Sequence, residues 1–166
     1  MSRHKHIILP ILSLAILTPL ISGGFSANVA AQTSKQVPYW SSIKADEART
    51  RTGPSTDFPV KWIYRRAELP VKVVAKYSDW RKVEDPDGDQ GWMHVKLLST
   101  TRSALVTQDG VSELREEPSP TARISWRVEK GVVGKVSDCV KGWCKLDVKG
   151  RYGYIETSKI WGEEAL

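Results

Sequence analysis

Two stretches of this chain carry the same landmarks in the same order. Arg51-Thr52-Gly53-Pro54-Ser55 lines up with Arg115-Glu116-Glu117-Pro118-Ser119 at a spacing of 64, and Val60 and Trp62 fall on Ile124 and Trp126 at that same spacing. Val73, Trp80 and Val83 fall on Val136, Trp143 and Leu146 at 63, and Gly91-Trp92 and Leu98 fall on Gly153-Tyr154 and Ile160 at 62. A drift of two residues belongs to loops, where length changes are tolerated. Self-similarity of this kind means one supersecondary design used twice, in repeats of about 60 residues. The joint, near residues 100–104, lacks a Gly/Pro-rich spacer, so the repeats are expected to pack together rather than swing freely.

Within each repeat the pattern is that of strands. In residues 69–98, Val71, Val73 and Ala75 alternate with Lys72, Val74 and Lys76, the period-2 signature of a half-buried strand. A Ser-Asp step leads into Trp80 and Val83, Asp-Pro-Asp-Gly at 85–88 marks a tight turn, and Gly91-Trp92 opens a third strand. Residues 132–160 repeat this meander, and 39–43 and 60–64 add two further short strands. No window combines a 3.6-residue period with helix caps. The expected class is all-β.

Residues 1–31 are set apart from this pattern. A basic start (Arg3, His4, Lys5, His6) precedes a mostly apolar run over 7–21, and Val29 and Ala31 are small residues where a signal peptidase reads. The rival is a membrane anchor, which needs roughly 20 apolar residues; this run is shorter, holds Pro10 and Pro19, and is followed by Gly23-Gly24. A signal peptide over 1–31, cleaved before Gln32, is therefore expected, then a flexible lead-in over 32–38, a first domain over 39–102 and a second over 103–163. The signal takes two of the 25 basic residues and none of the 19 acidic ones, leaving the exported chain at +4. For a periplasmic or secreted protein, that balance points to anionic envelope material or plain solubility, not nucleic acid.

Each repeat resembles the bacterial Src-homology-3-like (SH3-like) domain. The resemblance rests on an Arg-x-Gly-Pro-Ser turn, a Trp-x-x-Val segment and a late Gly-Trp: Arg51 to Ser55, Trp80 to Val83 and Gly91-Trp92 in the first repeat. Arg115 with Pro118-Ser119, Trp143 to Leu146 and Gly153-Tyr154 carry it in the second. It implies tandem five-stranded barrels, export in bacteria, and binding or targeting at the cell envelope. Arg49 and Glu113 stand where the family has Asn. Glu117 replaces the turn glycine, so that loop is expected to differ in shape if the glycine serves a left-handed backbone.

Few residues are equipped for chemistry. A hairpin turning at Lys141-Gly142 would set Cys139 and Cys144, the only cysteines, opposite each other, and an exported chain would oxidise them to a disulfide. Zinc needs about four ligands, and after signal cleavage His94 is the only histidine. Asp85, Asp87 and Asp89 with Gly88 suggest a calcium loop, but Gln90 and Lys96 stand where an EF-hand needs Gly and Glu, so a polar turn is expected. No metal, cofactor or catalytic set is expected. The tryptophans that recur (Trp62, Trp80 and Trp92 with Trp126, Trp143 and Tyr154) are assigned to core packing or strand-flanking contacts; Trp40 and Trp161 either cover the joint or lie exposed. Arg49, Arg51, Arg65, Arg66 and Trp40 are the candidate binding residues, since Arg and Trp are enriched in recognition hot spots.

The resulting expectation is a monomeric, non-enzymatic adaptor of the envelope, recognising a peptide, a protein partner or cell-wall material such as peptidoglycan. It would meet the membrane only through its signal peptide. The alternatives are an accessory of cell-wall hydrolysis acting in trans, or a structural envelope protein without a dedicated ligand.

Overall fold

The computed structural model describes residues 35–163, so the signal peptide and the first three residues of the lead-in lie outside the described residues. The chain runs β1 (Tyr39–Ile43), β2 (Ala48–Arg51), β3 (Val60–Tyr64), β4 (Pro70–Tyr77), β5 (Trp80–Glu84), β6 (Gln90–His94), a 3-10 turn Val95–Leu97 and β7 (Leu98–Ser99). It continues with β8 (Ser103–Val106), β9 (Val111–Arg115), β10 (Ile124–Glu129), β11 (Val133–Val140), β12 (Trp143–Val148), β13 (Arg151–Glu156), a 3-10 turn Thr157–Lys159 and β14 (Ile160–Trp161). Described helical structure is limited to those two turns.

The strands form two seven-stranded antiparallel sheets in matching order, β3-β2-β6-β5-β4-β1-β7 and β10-β9-β13-β12-β11-β8-β14. Seven strands stand where the resemblance implies five, because the ends of each repeat pair with each other: β7 joins β1, and β14 joins β8. Each sheet curls around its own core. Ile43 of β1, Ala48 of β2, Val71 and Val73 of β4, Val83 of β5 and Met93 of β6 are all buried in one cluster, which strands spread across a flat sheet could not form. The second core collects Ala104, Val106, Leu114, Val136, Leu146 and Ile155 in the same way.

The repeat holds at the level of individual pairs. Val73 faces Val83 as Val136 faces Leu146, and Arg51 faces Trp92 as Arg115 faces Tyr154. The alternation of β4 holds through Val73 and then shifts at a register irregularity between Val73 and Ala75, so the strand's second half is only partly buried. The glycine of each Gly-aromatic pair answers to a close strand approach. A Cβ on Gly91 would lie 2.7 Å from Thr50 Cβ, and one on Gly153 would lie 2.8 Å from Leu114 Cβ.

Two sequence expectations need correction, and one pair of alternatives is decided. Trp62 and Trp126 are not core residues: they are 48% and 45% exposed, because β3 and β10 are edge strands. Of the two alternatives for Trp40 and Trp161, covering the joint is the one seen: Trp40 is 6% exposed and meets Trp161 edge-on, ring centroids 4.6 Å apart, so β1 of the first repeat packs on β14 of the second. Gly53 does not serve a left-handed backbone, since it is not among the positive-φ glycines. Instead the Phe58 ring lies where its Cβ would be, 2.5 Å away. In the second repeat both members change together: Glu117 stands at the glycine position and Ala122 at the phenylalanine position, which removes the conflict.

Candidate functional site

A cleft of about 430 Å³ opens on the first repeat, lined by Glu47, Arg49, Arg51, Thr56, Trp80, His94, Lys96 and Leu97. Strand register assembles it. Trp80 and His94 are cross-strand partners on β5 and β6, and their rings meet nearly at right angles with centroids 5.4 Å apart. The 3-10 turn that follows β6 carries Lys96 and Leu97 to the same place. His94 Nδ1 accepts the Lys96 backbone N–H at 3.2 Å, so in the neutral ring Nε2 carries the proton and remains a donor. Arg49 and Arg51 alternate with buried Thr50 on β2, which puts both arginines on the outward face.

The four candidate arginines have different duties. Arg51 Nη1 donates to the Phe58 carbonyl at 2.6 Å, and Arg115 Nη1 donates to the Ala122 carbonyl, also seven residues on, at 2.5 Å. The motif arginine thus closes the loop behind it in both repeats. Arg49 and Arg65 share one carboxylate, Glu47, at 2.9 and 3.4 Å. Arg66 turns away from the cleft and donates to the Gly131 carbonyl of the second repeat at 2.5 Å. Lys96 enters no ion pair among the described residues. The structure therefore brings Arg49, Arg51 and, beside them, Arg65 together, and parts them from Arg66 and Trp40.

Sequence reasoning missed Glu47, Thr56, Lys96 and Leu97, and it left Trp80 and His94 without a shared role. The signal for the last two was present, because a hairpin with its turn at 85–89 pairs 80 with 94. The Asp85 turn itself is structural. Asp85 is buried, its Oδ1 accepts the N–H groups of Asp87 and Asp89 at 3.1 and 2.8 Å, and its Oδ2 accepts the Tyr64 hydroxyl at 2.9 Å. Burial first, and then the carboxylate, push the Tyr64 phenol well above its ordinary 10.0.

Cys139 and Cys144 are joined in a disulfide, across the hairpin and in the register the sequence implies. Lys141 and Gly142 have φ of 49° and 80°, the positive pair that a two-residue type I′ turn requires. The second repeat has its own polar recess of about 540 Å³, lined in part by Glu116, Trp126, Lys145 and Tyr152. There the rings already hold the protein's own cations, Arg151 over Trp126 at 5.0 Å and Lys145 over Tyr152 at 4.8 Å.

Two curled sheets in tandem, one bearing an open cleft of aromatic and cationic side chains, define a class of small β modules suited to surface recognition. The chain belongs to the bacterial SH3 domain family: the family's sequence profile matches it twice, over residues 44–100 and 109–162. Domains of this family are generally binding modules. Similar solved structures include NlpC1 from Trichomonas vaginalis (15% identity, 80% of this chain and 49% of that chain, TM-score 0.36). NlpC2 from the same organism is similar at 13% identity, over 78% of this chain and 50% of that one, with a TM-score of 0.35. An NlpC/P60 family protein from Bacillus cereus ATCC 10987 is similar at 15%, over 74% and 55%, with a TM-score of 0.33. The chain spans about half the length of those structures. No curated protein matches it.

Proposed function

We propose that this protein is a non-enzymatic binding module of the bacterial cell envelope, and that the first repeat carries its ligand site. The observation behind this is the cleft itself: an aromatic pair, Trp80 and His94, rimmed by Arg49 and Lys96 on rigid strands and a 3-10 turn. The Cys139–Cys144 bond suits an exported protein, since disulfides persist in oxidising compartments. The partner is a peptide, a protein segment or a cell-wall component such as peptidoglycan, and the module acts without a cofactor.

The test is retention of the purified protein on isolated cell-wall sacculi. Retention that survives moderate salt, and is lost on substituting Trp80 by Ala, supports a specific cleft. Retention that vanishes at modest salt is screened long-range attraction and rejects the site. Absence of retention together with a co-purifying envelope protein moves the ligand from wall to protein.

A further inference from the structure

The two repeats share a fold, but the surplus of positive charge around the cleft of the first is absent from the matched positions of the second. In the first repeat, Arg49, Arg51, Arg65 and Lys96 face a single carboxylate, Glu47, which is divided between Arg49 and Arg65. Strand pairing identifies the counterparts without ambiguity. Arg49 faces Ile63 on β2–β3 as Glu113 faces Arg127 on β9–β10, Trp80 faces His94 as Trp143 faces Glu156, and the two 3-10 turns match Lys96 with Ser158 and Leu97 with Lys159. The second copy thus holds Arg115, Arg127 and Lys159 against Glu113, Glu129 and Glu156, which leaves no surplus of either sign. Two of these cations are already neutralised locally, Arg115 by Glu113 at 2.5 Å and Lys159 by Glu156 at 3.0 Å.

We infer that the first-repeat cleft takes a peptide bearing a free carboxylate next to an aliphatic residue, and that the matching face of the second repeat does not; this rests on the cleft being the binding site. The surplus positive charge calls for an anion. Arg49 can release Glu47 to Arg65 and present its planar fork to a carboxylate, Lys96 adds an ammonium that enters no ion pair among the described residues, and the Nε2–H of His94 supplies a third donor. Leu97 and the Trp80–His94 pair form an apolar floor for an aliphatic side chain. The edge-to-face contact of Trp80 with His94 takes up part of the ring surface that a stacked sugar would need.

Backbone amide NMR on the ¹⁵N-labelled chain decides this, using N-acetyl-alanyl-leucine as the probe, its C-terminal amide as the neutral control and glucuronic acid as the anionic sugar. Expected are shifts at Arg49, His94, Lys96 and Leu97 with none at the matched second-repeat positions, and affinity for the acid at least tenfold above that for the amide. The triple variant Arg49→Glu, His94→Glu, Lys96→Ser gives three cleft positions the residues of the second repeat and is expected to lose that preference while keeping the rest of the spectrum. Equal binding of acid and amide in the cleft overturns the inference but leaves the cleft a binding site. Tighter binding of glucuronic acid, or equal shifts in both repeats, also overturns it. So does the absence of cleft shifts with any probe, in which case sacculus retention still judges the broader proposal separately.

Discussion

At the scale of single residues, the side chains that define the sequence motif are mostly structural. The motif arginine holds a loop carbonyl in each repeat, so Arg51→Ala should cost about 1.5–3 kcal/mol, the range for a hydrogen bond to a charged group. Chemical denaturation would measure this, and Arg115→Ala should behave alike. Gly53 and Phe58 form a size-matched pair. Gly53→Glu alone should destabilise by about 1 kcal/mol, because the Phe58 ring is half-exposed and can partly give way, and adding Phe58→Ala should cancel most of that loss in a double-mutant cycle. Tyr64 sets a pH limit. Its raised phenol stays protonated in the folded protein at a pH where the unfolded chain has released the proton. Stability from this group is therefore full below the ordinary tyrosine value and falls as pH rises through the folded one. Tyr64→Phe should cost about 1 kcal/mol near neutrality through the lost bond to Asp85, and should flatten the alkaline decline in a pH series of denaturation curves.

At the scale of elements, the meanders β4–β6 and β11–β13 were legible because alternation, turn residues and the repeat all agreed on them. The same cues gave the disulfide its partners, since a two-residue turn at Lys141-Gly142 fixes which residues face each other. Exposure was not legible: Trp62 recurs at Trp126, and recurrence looks the same for a buried tryptophan as for one on an edge strand. The cleft was half legible, as Arg49 and Arg51 stood out by type, whereas Lys96 and Leu97 join them only through the 3-10 turn after β6. The disulfide closes a short loop, for which chain entropy allows about 2 kcal/mol. Replacing both cysteines by alanine should lower unfolding free energy by roughly that amount or somewhat more, since Cys144 is also part of the second core. The first repeat's cleft shifts should stay unchanged in an NMR spectrum.

At the scale of the whole molecule, the short joint makes the repeats neighbours and specific contacts hold them there. Trp40 packs on Trp161, Arg66 reaches the Gly131 carbonyl, and Lys135 pairs with Glu68 at 3.2 Å. The tryptophan pair supplies the apolar part, because the ion pair is solvent-exposed and worth little by itself. Trp161→Ala should cost about 2 kcal/mol or more and should split a single calorimetric unfolding transition into two, whereas Lys135→Ala should leave one transition. The exchange of Gly53 and Phe58 for Glu117 and Ala122 also bears on how two such copies can drift apart in sequence. Of the two single-step routes between these arrangements, the one that enlarges the glycine first passes through a crowded intermediate, and the one that shrinks the aromatic first does not. The loop behind the motif arginine therefore has a preferred order of change, and a duplicated module is free to diverge there only after the ring has gone.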